Sequence, residues 1–444
     1  MSERNIKKSI FYTFISQIPT QIFGIISGIF ITRILGASGR GLYAIMYADV
    51  SLFNTIFSFS IATAIIYFIS SNKISLSKIF TISIFFSFIS IILSVIVLLG
   101  WLMLPLNNFL FPIQCINWKY IAWFILILIL TQVNTIYSSF FQGIQNFKVV
   151  NLVSLSNSIL NLIIYGVAFF FYHYKYFYID LYVILLIGLV VLVLNTLQWH
   201  SFYTRYFSYE ITLKINWEQD IKPFFSYTGI GHLSNVINFF NYRLVLWILA
   251  YYLTELEVGI FSLASGLTQM LTFFTNPLSQ VLLPFLSSNT NEDRKTVFIR
   301  FARVHFTLIF IMAIVGACIA PFLIPILYGI EFNDSVLPFE ILIFGILFSC
   351  QTKIIAGFLF ADNKVTLNLW ATIFGFALTL FFNYYLIKHF GITGASWSSF
   401  ITYVGIFIFV YGATIIKVNL SSVNLFFITG NDLKYARDKF KRKS

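Results

Sequence analysis

The sequence predicts an all-α membrane protein with about twelve transmembrane helices in two parallel six-helix lobes around a central cavity. The 444-residue chain is 59% hydrophobic and only 10% charged, whereas soluble domains average about 25% charged residues. Apolar runs long enough to cross a bilayer as helices, about 20 residues each, follow one another from end to end. No connecting segment is long enough to fold as a domain of its own.

Twelve spans can be placed between polar and proline-containing segments. Pro105 and Pro112 interrupt the chain after the third span, and Asn291–Arg294 separates the eighth from the ninth. The predicted spans are 9–33, 42–69, 79–101, 119–143, 149–172, 181–203, 223–252, 257–287, 304–328, 337–361, 365–387 and 392–416. They form an N-terminal lobe with a cytoplasmic linker (1–214), a C-terminal lobe (215–416) and a basic cytoplasmic tail (417–444).

Positive charge is distributed unevenly between the two sides of the membrane. The net charge of +12 would suggest nucleic acid in a soluble protein, but here the charges lie between the apolar runs and in the tail. Of the 28 Lys and Arg residues, 21 fall on one side and 5 on the other, while Arg243 and Lys353 lie within spans. The positive-inside rule therefore places both termini in the cytoplasm. We expect contact with anionic lipid and no nucleic-acid partner.

The three cysteines, Cys115, Cys318 and Cys350, do not have the spacing of a disulfide framework or a metal site. The sequence also contains no phosphate-binding loop. We expect no cofactor, no metal and no direct use of ATP. The first apolar run is too long for a cleavable signal peptide, and no small-residue cleavage site follows it.

The two halves of the chain repeat each other. Gly41–Ala44 matches Gly259–Ser262, and Asn146–Val149 matches Asp362–Val365, at offsets of 218 and 216, and the starts of helices 1 and 7 match at 215. An offset of six helices keeps both repeats in the same orientation, so the lobes would be related by an axis along the membrane normal. The competing interpretation is chance similarity among helices rich in Phe and Ile.

Helix 7 carries the clearest candidate site. Thr228, His232, Asn235, Phe239 and Arg243 follow one another at spacings of 4, 3, 4 and 4, so they share one face. An arginine within a span is costly and by default indicates a functional site. The competing interpretations are an ion pair with Asp49, which would then be a structural or a coupling charge, and snorkelling of Arg243 to the periplasmic surface.

Polar side chains also follow other spans. Gln17 and Gln21 lie on one face of helix 1, and Gln269 lies on helix 8. Lys353 in helix 10 is a second candidate cation. The competing interpretations are small-residue packing for helix 1, access of Lys353 to the cytoplasmic surface, and a satisfied interior histidine for His232.

Three segments resemble the oligosaccharide (O-antigen, Wzx-type) flippases, which share a superfamily with the multidrug extruders and lipid II flippases. These segments are Thr32–Tyr43, with its R-x-L-G turn, Phe140–Lys148, and Asn383–Trp397, with its G-I-x-G-A turn. The resemblance implies a flippase of the bacterial inner membrane. By alternating access it would move undecaprenyl-diphosphate-linked repeat units to the periplasmic leaflet for O-antigen (lipopolysaccharide) or capsule synthesis. Polysaccharide polymerase and chain-length proteins would be its assembly partners.

The substrate fits the candidate residues chemically. Arginine binds diphosphate through its planar fork, and amide and aromatic side chains bind sugars. The expected substrate-binding residues are Arg243, Asn235, His232, Gln17, Gln21, Lys353 and Gln269.

Two other functions remain open. A cation-coupled multidrug exporter usually needs carboxylates in its spans, and this chain offers only Asp49 and Glu340. A membrane polysaccharide polymerase would be an enzyme with acidic or Arg residues in a large periplasmic loop. Here only Glu255 and Glu257, in a loop of a few residues, are available, so a non-enzymatic transporter with a negatively charged substrate is favoured.

Overall fold

A computed structural model of the chain contains α-helices and no strand among its described residues, which are 3–104, 109–207, 211–212, 215–276, 278, 291–362, 364–418, 425–430 and 432. Four short 3-10 or π turns lie at Ile113–Cys115, Trp217–Ile221, Gln269–Leu271 and Ile330–Ser335. The helices are α1 (Glu3–Phe57), α2 (Ile61–Ser71), α3 (Leu76–Leu102), α4 (Trp118–Gly143), α5 (Phe147–His173), α6 (Leu181–Tyr206), α7 (Lys222–Tyr252), α8 (Glu255–Thr268), α9 (Asn291–Tyr328), α10 (Val336–Ala361) and α11 (Val365–Val418). The all-α prediction is confirmed.

Ten helical stretches among the described residues are long and apolar enough to cross a bilayer. Two of them, Gln17–Phe57 with 41 residues and Thr366–Ile416 with 51, are about twice the roughly 20 residues that one crossing needs. Each contains one glycine in the left-handed region, Gly36 (φ 64°) and Gly391 (φ 56°), where a turn between two spans was predicted. Glycine adopts this conformation without strain. The total of twelve crossings stays a prediction.

Residue contacts divide the chain into two compact units, Met1–Gly259 and Ile260–Ser444. In the first unit, α7 packs against α1 and α2, and α4 packs against α2 and α6. Aromatic rings fill part of its interior, with Phe68 stacked on Phe224 at 5.6 Å and Phe80 on Tyr203 at 5.6 Å. The predicted lobe boundaries concern the sequence repeat rather than these contacts, and they stay a prediction.

Side-chain caps fix the starts of three helices of the first unit. Asn117 accepts hydrogen bonds from the backbone amides of the first turn of α4, and Asn146 accepts one from the first turn of α5. Asp180 does the same for α6 at 2.9 Å. Such caps satisfy backbone donors that have no partner within the helix. They explain why the predicted starts of these spans agree closely with the structure.

The second unit contains α9, α10 and α11. Phe298 of α9 stacks on Phe358 of α10 at 4.2 Å. The predicted start of this span, residue 304, is wrong, because α9 already begins at Asn291. Phe298 and Ala302 are fully buried, one helical turn apart, on a segment that also carries Lys295, Arg300 and Arg303. These charges interrupt the apolar run, so a search for such runs places the start too late.

The span predicted at 257–287 is interrupted after Thr268, and residues 272–276 are helical again. Helix α8 ends at Thr268, and the 3-10 turn Gln269–Leu271 follows. Residues 277 and 279–290, which include Pro277, Gln280 and Pro284, lie outside the described residues.

Part of the predicted tail folds back onto the second unit. We call residues 425–430 and 432 the C-terminal strap. Leu425 is buried and its carbonyl accepts a hydrogen bond from Gln351 of α10 at 3.0 Å, while Ile428 donates its amide to Thr307 of α9 at 3.1 Å. Asp432 is 8% exposed and pairs with Arg303 of α9 at 3.1 Å. The rest of the tail after Asp432 lies outside the described residues.

Candidate functional site

The second predicted span, 42–69, is not one continuous helix. Helix α1 ends at Phe57 and α2 begins at Ile61. Between them, Phe59 (φ 46°) and Ser60 (φ 52°) adopt the left-handed conformation, which costs a residue with a side chain about 1–2 kcal/mol. Such a break inside a membrane span persists only where other groups satisfy the freed backbone.

The break brings two of the predicted site residues together. The hydroxyl oxygen of Ser60 lies 3.2 Å from Nδ1 of His232 and accepts a hydrogen bond from Nδ2 of Asn235 at 3.3 Å. The ring of Phe59 lies 5.7 Å from the imidazole ring of His232. His232 is half-buried and Asn235 is exposed. The polar face of α7 therefore meets the interrupted helix through Ser60.

Two buried polar side chains, Ser90 and Gln132, form hydrogen bonds at the end of α1, just before the break. The hydroxyl of Ser90 in α3 donates to the carbonyl oxygen of Phe57, the last residue of α1. Gln132 of α4 donates to the same hydroxyl at 2.9 Å. Both side chains are buried. They stabilise one carbonyl group that the end of α1 leaves without a helical partner.

Asp49 of α1 is fully buried, and its partner is an indole. Oδ1 of Asp49 accepts a hydrogen bond from Nε1 of Trp247 at 2.7 Å, and Oδ2 has no hydrogen-bond partner. One interpretation of the sequence expected an ion pair between Arg243 and Asp49. In the structure, the hydrogen bond to Asp49 comes from Trp247 instead. A buried carboxyl oxygen without a partner is costly and makes Asp49 a candidate site for cation or proton binding.

Arg243 lies on α7 one helical turn before Trp247 and is half-buried. At 1.5 Å rise per residue its Cα is about 12 Å from that of Asn235 along the helix. Gln17 and Gln21 are half-buried on α1. Among the described residues, no hydrogen bond joins either glutamine to His232 or Asn235.

In the second unit, Lys353 of α10 donates to the side-chain oxygen of Asn276 at 3.3 Å. Gln269 is half-buried in the 3-10 turn that follows α8. The predicted cation Lys353 thus has a polar partner from the segment beyond α8.

A buried hydrogen-bonded chain lies beside Lys353. Nε2 of His305 lies 3.0 Å from the hydroxyl of Thr275, and Nδ1 lies 2.9 Å from the side-chain oxygen of Gln351. His305 is 2% exposed. Gln351 also donates to Leu425, so this chain links the segment after α8 to the C-terminal strap.

Ser60, Trp247 and His305 were not among the site residues predicted from the sequence. Ser60 lies in a run without Gly or Pro, so no turn signal marks the break. His305 follows a charged segment, and nothing in the sequence indicated that its side chain is buried. Trp247 lies one turn after Arg243 on the same face, so the spacing could have placed it on the polar face of α7 but not identified its partner Asp49.

The polar groups of the first unit suit a hydroxylated ligand. A hydroxyl, an imidazole and an amide meet at a helix break, where broken membrane helices commonly bind substrates. Among the described residues, no group of three His, Cys, Asp or Glu side chains is placed to hold a metal ion. The arrangement provides a hydroxyl, an imidazole and an amide for hydrogen bonding.

Sequence comparison identifies related proteins. The model of the family described as "Polysaccharide biosynthesis protein" matches residues 6–290. The capsular polysaccharide biosynthesis protein CapF of Staphylococcus aureus is 23% identical over 267 residues, which cover 58% of this chain. The match spans 64% of the length of CapF.

Solved transporter structures share the fold. The lipid II flippase MurJ in an inward closed conformation aligns with a TM-score of 0.66 at 14% identity, covering 92% of this chain and 87% of MurJ. An inward-facing multidrug resistance transporter of the MATE family in the MOP superfamily aligns with a TM-score of 0.62 at 13% identity, covering 91% of this chain and 96% of the transporter. At this level of identity the similarity concerns the fold.

Proposed function

Since the chain belongs to the polysaccharide biosynthesis protein family, we propose that it is a flippase for lipid-linked oligosaccharides. The substrate would be an undecaprenyl-diphosphate-linked repeat unit of an O-antigen or a capsule. Alternating access would move it from the cytoplasmic to the periplasmic leaflet of the bacterial inner membrane. The observation that carries the proposal is the polar helix break at Ser60, with His232 and Asn235 against it.

The spacing of polar groups along α7 supports this substrate. Arg243 lies about 12 Å from Asn235 and about 16 Å from His232 along the helix. A diphosphate at Arg243 would therefore place the first sugars of the repeat unit beside the amide and the imidazole. Arginine keeps its charge when it is removed from water and binds two phosphate oxygens at once. Gln17, Gln21, Gln269 and Lys353 complete the proposed set.

The test replaces Arg243 in a strain whose surface polysaccharide depends on this chain. Arg243→Ala should lose most transport at normal membrane abundance, and Arg243→Lys should keep part of it. Charge-assisted hydrogen bonds contribute about 1.5–3 kcal/mol each, so substrate affinity should fall by roughly one to two decades. Arg205→Ala, an exposed arginine of α6, is the matched control.

Three measurements read out the test: surface polysaccharide, accumulated lipid-linked oligosaccharide and membrane abundance of each variant. Full transport by Arg243→Ala at normal abundance would refute the diphosphate role. Accumulation of the lipid-linked oligosaccharide in the cytoplasmic leaflet, with intact synthesis, identifies a defect in flipping. Polysaccharide polymerase and chain-length proteins are the proposed partners.

A cation-coupled multidrug exporter is the second candidate. Its support is the MATE fold and the buried carboxyl group of Asp49, whose Oδ2 is free to bind a proton or cation. Resistance to cationic dyes that depends on Asp49, with unchanged surface polysaccharide, would favour this function over the flippase.

A further inference from the structure

Two arginines of α9 converge on one carboxylate of the C-terminal strap. Nη1 of Arg303 lies 3.1 Å from Oδ2 of Asp432, and Nε of Arg300 lies 3.7 Å from Oδ1. Arg303 also donates to the hydroxyl of Thr429 at 3.3 Å, and that hydroxyl donates to Asp432 at 2.7 Å. The side chains of Arg303 and Asp432 are only 16% and 7% exposed. The arrangement is a two-arginine anion site whose occupant belongs to the same chain.

Hydrogen bonds keep the carboxyl group of Asp432 ionised. Burial alone would raise the pKa of Asp432, but hydrogen bonds from Thr429 and Arg303 outweigh burial and hold the pKa below its usual value. Arg303 holds Asp432 more closely than Arg300, whose contact is longer and is not a hydrogen bond.

An apolar pocket continues from the arginines along α9. Phe306 and Phe310 follow Arg303 at spacings of 3 and 4, so the three share one helix face. Both rings line a cavity of about 470 Å³ together with Phe348 and Trp397, and the carboxyl group of Glu340 lies among its lining residues. The strap contacts two of these lining residues, with the ring of Phe427 5.4 Å from Phe306 and 5.3 Å from Phe310.

The position of this site suits a lipid of the cytoplasmic leaflet. The charge distribution places the start of α9 and the tail on the cytoplasmic side of the membrane. An anion site at the end of an apolar groove matches a phosphate group attached to acyl chains. After Asp432 the sequence continues with six basic residues, Lys434, Arg437, Lys439, Lys441, Arg442 and Lys443, which anionic lipid surfaces attract.

We propose that Arg300 and Arg303, with the pocket beside Phe306 and Phe310, bind an anionic phospholipid, and that the strap occupies this site through Asp432 until the lipid displaces it. The occupant is a glycerophospholipid such as phosphatidylglycerol, with its phosphate at the arginines and an acyl chain between the aromatic rings. A phosphate offers more acceptor oxygens to two arginines than one carboxylate does. This site lies wholly within Ile260–Ser444 and does not depend on the proposed transport function.

Lipid binding is measured by native mass spectrometry of the purified full-length chain, titrated with phosphatidylglycerol or phosphatidylcholine. The wild type should retain phosphatidylglycerol in preference. Arg300→Gln with Arg303→Gln should lower the affinity for phosphatidylglycerol at least about tenfold. Asp432→Asn should raise it, because the competing carboxylate is gone. Arg205→Gln, which removes an exposed arginine outside the site, should leave it unchanged.

Hydrogen exchange of the strap provides a second readout. The amide of Ile428 is bonded to Thr307 and that of Thr429 to Asp432, so both are protected while the strap is docked. In nanodiscs, adding phosphatidylglycerol to phosphatidylcholine should speed exchange of this segment in the wild type. In Asp432→Asn, exchange should be fast in both bilayers.

Three results would overturn the proposal. The first is an affinity for phosphatidylglycerol that Asp432→Asn leaves unchanged or lowers. The second is strap exchange in the wild type that does not respond to lipid composition. The third is retention of farnesyl diphosphate but not of phosphatidylglycerol, which would assign the arginines to an isoprenoid ligand. The Asp432→Asn variant decides the matter even if the double arginine variant fails to fold, because it leaves the arginines in place.

Discussion

Substitution of Ser60 separates the two things that this residue does at the helix break. Its hydroxyl contacts His232 and Asn235, and its backbone is left-handed with φ 52°. Ser60→Ala removes the hydroxyl and keeps a side chain that strains this backbone. Ser60→Gly removes the hydroxyl and relieves the strain.

The structure sets the expected magnitudes. The two contacts of 3.2 and 3.3 Å are long for hydrogen bonds between neutral groups. Each should contribute about 0.5–1 kcal/mol, as polar contacts between membrane helices do, so Ser60→Ala should cost about 1–2 kcal/mol. Alanine in the left-handed region costs about 1 kcal/mol more than glycine, so Ser60→Gly should be the more stable variant by about that amount.

Thermal unfolding in detergent measures the stability of both variants, and surface polysaccharide measures their transport. Ser70→Ala is the matched control, because Ser70 lies on the exposed face of α2 and bonds only to its own helix at Tyr67. If Ser60→Ala is at least as stable as Ser60→Gly, the backbone at residue 60 is not left-handed and the helix break is refuted. A loss of transport in Ser60→Gly at wild-type stability would assign the hydroxyl to the substrate.

Four further predictions concern two sets of contacts, one pKa and the membrane topology. Trp247→Phe leaves Asp49 without its hydrogen bond and should lower the free energy of unfolding by about 1–3 kcal/mol, whereas Asp49→Leu combined with Trp247→Phe should recover part of this loss in thermal unfolding. A Cβ atom at Gly41 would overlap the carbonyl of Glu255, and one at Gly259 would overlap that of Ala37, so either alanine variant should show low membrane abundance on immunoblots; Gly100→Ala, with nothing within 4 Å, should not. The pKa of Asp432 is lowered in the docked strap, so its ionised carboxylate stabilises docking at any pH above the ordinary carboxyl value of about 3.9. Hydrogen exchange of the strap amides, corrected for its intrinsic pH dependence, should therefore stay constant between about pH 8 and about pH 5. Protection should be lost only as the pH falls through the lowered pKa. Reporters fused to the C-terminus should be active in the cytoplasm, and a periplasmic signal would contradict the positive-inside assignment.

The regular parts of the fold could be predicted because single-residue signals mark them. Asn117, Asn146 and Asp180 cap helices whose starts the sequence located closely. Gly36 and Gly391 occupy left-handed turns that the glycine motifs indicated. In each case the residue type and the local conformation are linked directly, through a cap or through a positive φ, so no tertiary contact is needed for the prediction.

The features that were not predicted from the sequence depend on contacts between residues that are distant in the sequence. The left-handed Phe59 and Ser60 carry no local turn signal, and their conformation is supported by Ser90, which donates to Phe57. The hydrogen bond of Asp49 comes from Trp247, 198 residues away. No pattern within one helix could reveal either contact, although the stripe on α7 did identify the side of the helix on which His232 and Asn235 meet the break.

Contacts between distant segments also constrain how the chain crosses the membrane. Arg303, near the start of one apolar stretch, touches Asp432, which follows the last one. Two residues at the same membrane surface must be separated by an even number of crossings. Three helices, α9, α10 and α11, lie between them, so the contact agrees with the prediction that α11 crosses twice, with its turn at Gly391. The contact of Lys78 with Asp220 at 2.8 Å likewise agrees with an even number, since four predicted spans, α3 to α6, lie between these residues.

The crossing of α1 and α8 shows the sequence repeat as a physical contact. A Cβ at Gly41 would meet the carbonyl of Glu255, and a Cβ at Gly259 would meet the carbonyl of Ala37. Gly41 and Gly259 are 218 positions apart, and so are Ala37 and Glu255. Gly41 thus faces Glu255, the repeat equivalent of Ala37, and Gly259 faces Ala37, the repeat equivalent of Glu255. A local two-fold axis produces such reciprocal contacts. Chance similarity between two apolar helices would not make the contacts reciprocal. Each glycine therefore leaves room for a backbone carbonyl at the same helix crossing.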